Sequence, residues 1–270
     1  MTKSIITSLA LAIMITTQAF GTDKDKTRIV AHRGYWNCQE AGFARNSVAA
    51  LKAAQDNYFW GSEFDVNITK DGVLLVWHDG KIGDKVIEST NYEEFKNVRL
   101  ANGEPIPTID DYLIQANKNK STCLVYELKS QSNSETEDML VDLSIRKLQE
   151  YKLFNPKNVI FISFSFHMCY KIASEHPEFT VQYLGSDMAP EALMRYGIKG
   201  LDYHYNAFRE HPDWSGSAHK LNMTTNAWTV NEDKDINFIL DEKIGHITSD
   251  NPDLVRKIMS ERNIKECKAK

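Results

Sequence analysis

The sequence predicts a (β/α)8 TIM barrel, an α/β fold, in one domain with a small insertion after the second strand unit. Two observations carry that expectation. Beyond the first 25 or so residues, short apolar runs alternate with helical-period stretches, and eight such units fit into about 250 residues, the count and length a barrel requires. No linker, low-complexity stretch or shift of composition divides the chain, so the domain is set at residues 28–265. The runner-up is a doubly wound open sheet; no G-x-G-x-x-G follows the first apolar run, which counts against its dinucleotide-binding form.

The units follow one another in order. "RIVAHRG" is a short strand, and "NSVAALKAAQ" a helix with Asn46 as N-cap. "SEFDVNIT" alternates with period two, and Asp71–Gly72 turns the chain into "VLLVWHD"; the two count together as the second unit. A short insertion, about Gly80 to Pro107, precedes the helix "TIDDYLIQANK", capped by Thr108. The strand "TCLVYELKS" and a long helix from "ETEDMLVDL" come next. "NVIFISF", "TVQYLG", "GLDYHYN", "TTNAWTV" and "HITSD" are the remaining strands, each followed by a helical stretch except "GLDYHYN", which a broken segment to His219 follows.

In a barrel the reactive groups sit at the C-terminal ends of the strands. Those ends carry His32 and Arg33, then Glu63 and Asp65, then His78 and Asp79, then Glu127 and Lys129. Glu63 and Asp65 are two apart and share a face. Alone they suit a solvated strand edge; with Glu127 from the next strand they form a set of hard oxygen donors suited to Ca²⁺ or Mg²⁺ rather than Zn²⁺. His32 and His78 suit general acid–base work, and Arg33 and Lys129 offer fixed positive charge to a phosphate. Each also has a plain structural reading, as a core histidine or a salt-bridge partner. Together they describe a phosphoryl-transfer site. Trp228 is read as an aromatic wall for the substrate. Ser163, His204 and Asp250 also end strands, with a weaker claim to function.

"AHRG", "EFDVNITKDGVLLVWHD", "YELK", "AWTVN" and "ITSDNP", in that order, resemble the glycerophosphodiester phosphodiesterase family from about Ile29 to Pro252. The resemblance implies a TIM barrel that hydrolyses deacylated phospholipids to glycerol 3-phosphate and an alcohol. It implies a divalent metal on Glu63, Asp65 and Glu127, acid and base at His32 and His78, phosphate contacts from Arg33 and Lys129, and an aromatic wall at Trp228. It also points to a cyclic phosphate that water opens. One departure stands out. The family's P-E-N-[ST] is here Ala44, Arg45, Asn46 and Ser47, so an acid is replaced by Arg45, which bears on the first loop and the leaving group. The short insertion favours a small, soluble glycerophosphodiester as substrate. Two other readings compete: a barrel that binds phospho-ligands without catalysis, and a sphingomyelinase D-like phospholipase. Both histidines and all three acids argue against the first; the lack of an amphipathic docking stretch argues against the second.

Composition narrows the setting. The chain is 42% hydrophobic and 26% charged with net charge −5, so nucleic acid is not an expected partner. Residues 1–21 read as a secretory signal peptide: Lys3, an apolar run from Ile5 to Ile15, then small residues at cleavage spacing. That run is short for a membrane span, and removing the segment makes the net charge −6. The expected location is therefore periplasmic or secreted, with no stable membrane insertion after cleavage. Cys38, Cys123, Cys169 and Cys267 lack C-x-x-C spacing, and sequence leaves their pairing, like the oligomeric state, open.

Overall fold

Eight parallel strands close on themselves around a packed interior. In the computed structural model, residues 26–269 are described; the signal-peptide assignment lies outside them. The barrel strands are β1 (Lys26–Ala31), β2 (Gly61–Ile68), β6 (Cys123–Leu128), β7 (Val159–Ser163), β8 (Thr180–Tyr183), β9 (Gly200–His204), β10 (Thr224–Trp228) and β11 (His246–Ser249). Each is hydrogen-bonded to its neighbour in that order, and β1 pairs with both β2 and β11, which closes the ring. Between β2 and β6 come β3 (Leu74–Val76), antiparallel to β2, and a small hairpin of β4 (Lys81–Ile82) and β5 (Lys85–Val86). A last strand, β12 (Lys265–Glu266), pairs with the start of β1 and was not anticipated.

The helices are α1 (Val48–Asp56), α2 (Ile109–Ala116), α3 (Ser134–Glu150), α4 (Phe166–Glu175), α5 (Pro190–Arg195), α6 (Tyr205–Glu210), α7 (Asp213–Lys220), α8 (Asp233–Asp241) and α9 (Pro252–Glu261). Their apolar stripes and the outward faces of the strands form the main core, which includes Leu51, Phe64, Tyr126, Phe161 and Ile239. A smaller cluster of Val30, Val125, Ile160, Ile162 and Leu184 fills the barrel interior. Thr108 caps α2 in a reciprocal capping box with Asp111, as its sequence suggests.

The cap of α1 differs from expectation. Ser47, not Asn46, accepts the helix N–H, from Ala50 at 2.9 Å. Asn46 has φ 55° and turns its amide to the barrel mouth instead. Both residue types cap well, so only the backbone angle separates them. The strand read as "VLLVWHD" is shorter, ending at Val76. The 80–107 insertion has its own apolar centre in Ile82, Ile87, Phe95 and Ile106 against Leu75. The four cysteines are unpaired.

Candidate active site

The turn after β1 answers why a strand ends in His-Arg-Gly. Arg33 has φ 55° and Gly34 φ 78°, a left-handed pair that swings the chain across the barrel mouth. A Cβ on Gly34 would lie 2.6 Å from the Cβ of Ala50, so α1 can pack there only against glycine. The turn hangs on Glu63. The Arg33 N–H donates to Glu63 Oε2 at 2.6 Å, and the Gly34 N–H to the Glu63 carbonyl at 2.9 Å.

Glu63 and Asp65 point inward from β2, and register places Asp65 opposite Glu127 on β6. One oxygen from each of the three carboxylates lies within 4.8 Å of the others, and all three are buried. Lys129 donates to Glu127 Oε1 at 2.6 Å and to Asp65 Oδ1 at 3.1 Å. Asn46 donates to Asp65 Oδ2 at 2.8 Å, and Arg33 Nε lies 3.7 Å from the same oxygen. Glu63 Oε1 and Arg33 Nε have no hydrogen-bond partner among the described residues.

The electrostatics are correspondingly split. Burial, then the charges of Asp65 and Glu127, push Glu63 well above the usual carboxylate range. Burial and Asp65 push Glu127 up to about 7, against the pull of Lys129. Burial also works on Asp65, but Lys129, His78, Asn46 and Arg33 outweigh it and hold that carboxyl low. Burial likewise opposes the charge on Lys129, and the Glu127 and Asp65 carboxylates more than restore it. Three buried acids, one with an unpartnered oxygen, exceed what Lys129 and Arg33 compensate. The donor set is all carboxylate oxygen, so it fits a hard divalent cation.

The two histidines line the same cavity as Glu63 and Glu127 of this cluster. His32 Nδ1 is 2.9 Å from Asp250 Oδ1, and its Nε2 is 4.0 Å from Glu63 Oε2. Asp250 is itself held by Trp36 Nε1 and Asn231 Nδ2, each at 2.9 Å. Those hydrogen bonds and the one with His32 keep Asp250 well below the usual range despite its partial burial. His78 follows β3, with Nδ1 2.7 Å from Asp79 Oδ1. Burial holds its imidazole below the ordinary value, partly countered by Asp65.

Both histidines, Arg33, Lys129, Glu63 and Glu127 line one cavity of about 130 Å³. Its far wall is apolar: Ile162, Phe164, Leu184 and Trp228. The Trp228 indole is fixed by donating to the Asp202 carbonyl at 2.8 Å and by an edge contact with Phe164 at 5.5 Å. The expected site residues are thus brought together. Ser163 is not free for chemistry, since its hydroxyl donates to the Leu128 carbonyl. His204 accepts the Asn206 N–H as the N-cap of α6.

Three contributors were not singled out from sequence. Asn46 was read as a helix cap. Asn231, which braces Asp250, sits in a loop without periodicity. Asp202 is 1% exposed on β9, with Oδ2 bonded to Asn226 and Oδ1 unpartnered. Burial, then Glu127, pushes Asp202 well above its ordinary range. Its inward place in "GLDYH" follows from strand alternation, the one signal that could have found it.

The chain is similar to known proteins along most of its length. A glycerophosphodiester phosphodiesterase of Caldanaerobacter subterraneus subsp. tengcongensis is 25% identical over 249 residues, 86% of this chain and 99% of that protein. One of Bacillus subtilis is 25% identical over 267 residues, 87% of each. The crystal structure of a glycerophosphodiester phosphodiesterase from Parabacteroides distasonis superposes with a TM-score of 0.85 at 39% identity, covering 88% of this chain and 99% of that one. The family model matches residues 32–254, from His32 past Asp250, and the chain therefore belongs to the glycerophosphoryl diester phosphodiesterase family, whose members are hydrolases.

Proposed function

We propose that this protein hydrolyses glycerophosphodiesters to glycerol 3-phosphate and an alcohol. The observation that carries the reading is the single cavity in which two histidines, two cations and a buried three-carboxylate cluster meet. Both histidines face it, which favours a catalyst over a phospho-ligand-binding barrel. Glu63, Asp65 and Glu127 would hold a hard divalent cation, Ca²⁺ or Mg²⁺. Bound there, the cation supplies Lewis-acid stabilisation of charge on the diester.

The chain's own groups do the rest. Arg33 and Lys129 reach the phosphate oxygens, and Trp228 with Phe164 packs against the carbon side of the glycerol. His78, whose imidazole burial holds below its ordinary value, takes the proton of the attacking hydroxyl. His32, its ring fixed by Asp250, gives a proton to the departing alcohol. Among the described residues no serine or cysteine lines the cavity; its hydroxyls are those of Thr229 and Thr248, and Thr248 Oγ1 is engaged with Asn226. In this reading the glycerol 2-hydroxyl is the attacking group, forming a cyclic phosphate that water opens; attack from within the substrate is worth up to about 7–11 kcal/mol in well-oriented cases.

A panel of glycerophosphodiesters assayed with and without chelator tests this. Hydrolysis that chelator stops and Ca²⁺ or Mg²⁺ restores is expected; no turnover on any of them refutes the reading. A diester lacking the 2-hydroxyl should react very slowly, and equal rates would replace the cyclic phosphate by direct attack of water. The N-terminal 21 residues support export to the periplasm or beyond. Cell fractionation with N-terminal sequencing checks it: an intact Met1 in the cytoplasm overturns that assignment.

A further inference from the structure

We propose that a groove beside the cavity takes the departing alcohol of the diester, and that Arg45 selects alcohols bearing an anionic group. The proposal rests on the phosphodiesterase reading and deepens it to a substrate class. The groove has a volume of about 270 Å³ and is walled by Trp36, Phe43, Arg45, Trp77 and Leu100.

Its walls are tied to the reacting groups. The Trp36 indole N–H donates to the same Asp250 oxygen that holds His32. Trp77 immediately precedes His78, and its carbonyl accepts from Asn67 at 2.7 Å. Arg45 immediately precedes Asn46, whose amide holds Asp65. Through Trp36 the groove reaches the carboxylate that holds His32, the residue that protonates the departing alcohol in the reading above.

Its charge is decided by Arg45. The guanidinium carbon lies 4.1 Å from the centre of the Trp36 ring, and the residue is exposed. Arg209 and Arg256 also stack on rings, but each is closed by a carboxylate, Asp235 at 2.6 Å and Glu266 at 2.7 Å. Arg45 has no such carboxylate among the described residues. Its planar donor fork is thus oriented by Trp36 and left open, the state suited to a carboxylate or phosphate. The same stacking covers the indole face that a quaternary ammonium would use.

The test holds the alcohol ring constant and adds one phosphate to it. Hydrolysis of glycerophosphoinositol and glycerophosphoinositol 4-phosphate is compared in the wild type, Arg45→Gln and Arg45→Glu. In the wild type the phosphorylated ester should have the higher kcat/KM by about five- to tenfold, through KM. The ratio should fall to about one in Arg45→Gln and below one in Arg45→Glu, where glycerophosphocholine should gain. A brace for the loop would lower both rates alike and keep the ratio; that result, or a wild-type ratio of one, overturns the proposal. Calorimetric binding of both esters to the same three proteins decides the groove separately from turnover. Absence of turnover on every ester would refute the phosphodiesterase reading, while the binding ratio would still judge Arg45.

Discussion

Both ends of the barrel set histidines beside aromatic and charged neighbours, buried at one end and partly exposed at the other. At the N-terminal end His246 begins β11, 5% exposed, with Nδ1 2.8 Å from the Thr225 carbonyl and its ring 4.7 Å from Trp60. Arg28 covers the other part of that cluster, 5.5 Å from the Trp60 ring. At the C-terminal end His32 and His78 each spend one nitrogen on a carboxylate and line an open cavity. Around them lie three of the orphaned buried polar atoms: Arg33 Nε, Glu63 Oε1 and Asp202 Oδ1. The other two such atoms among the described residues, on Thr122 and Gln182, belong to neutral groups. A buried polar group with its partner in place is architecture; a charged one left short is where a ligand completes the set.

Removing a ligand from the short-handed end should break the contrast most severely. Glu127→Gln keeps the shape of the side chain but removes one of three anionic donors. Loss of kcat/KM by about 10³-fold or more is expected. Calorimetric titration with Ca²⁺ and Mg²⁺ should show weakened binding in parallel. Wild-type activity and metal affinity in this variant would return Glu127 to the role of a structural partner for Lys129.

The histidines come next. His32→Ala and His78→Ala should each lower kcat by about 10²–10⁴-fold, the span of one positioned acid or base. The profile of kcat/KM against pH should be bell-shaped, with its limbs reporting the pair. Its acid limb has a stated sign. Burial holds His78 below the ordinary imidazole value, and protonation abolishes its capacity to accept. Activity should therefore persist into mildly acid solution and fall only below about pH 6.5. An acid limb well above that value would assign the proton acceptor elsewhere.

How much of this was legible in the sequence follows from which signals are local. Strand alternation placed Glu63 and Asp65 on one face, and strand order placed Glu127 beside them. The eight strand–helix units were legible because each carries its own period. Asp250 ends a strand like Ser163 and His204, and sequence could not rank the three. What separates them is where loops from distant parts of the chain arrive: Trp36 and Asn231 meet at Asp250. Asn46 and Ser47 are both good caps, so the roles split only once φ at Asn46 turns positive. The pairing of β12 with β1 spans nearly the whole chain and has no periodic signature in two residues.

Asp250 offers a smaller break. It is not among the residues lining the cavity and it holds His32, so it is a positioning residue. Asp250→Asn should lower kcat by about tenfold to a hundredfold, the size of losing an outer contact, with KM little changed. A shift of one limb of the pH profile should accompany the fall. Equal losses at every pH would reduce Asp250 to a brace for the Trp36 and Asn231 loops.

The smallest expected effect on activity is at the other end, where His246→Phe should leave kcat and KM as they are and change stability alone. At pH 7 the variant gives up the bond to the Thr225 carbonyl, a cost of about 1 kcal/mol. In acid the balance reverses. Burial, then the Arg28 charge, holds His246 down to about 3 in the folded chain, against 6.5 for a free imidazole. Between those values the unfolded chain binds the extra proton, so stability falls as pH falls. The wild type should lose about 1.4 kcal/mol per pH unit below 6.5 relative to the variant. Denaturant unfolding of both proteins should give curves that cross near about pH 6. Parallel curves would mean that His246 takes up its proton in the folded state. The N-terminal end would then be as open to a proton as the site at the C-terminal end, and the contrast between the two would fail.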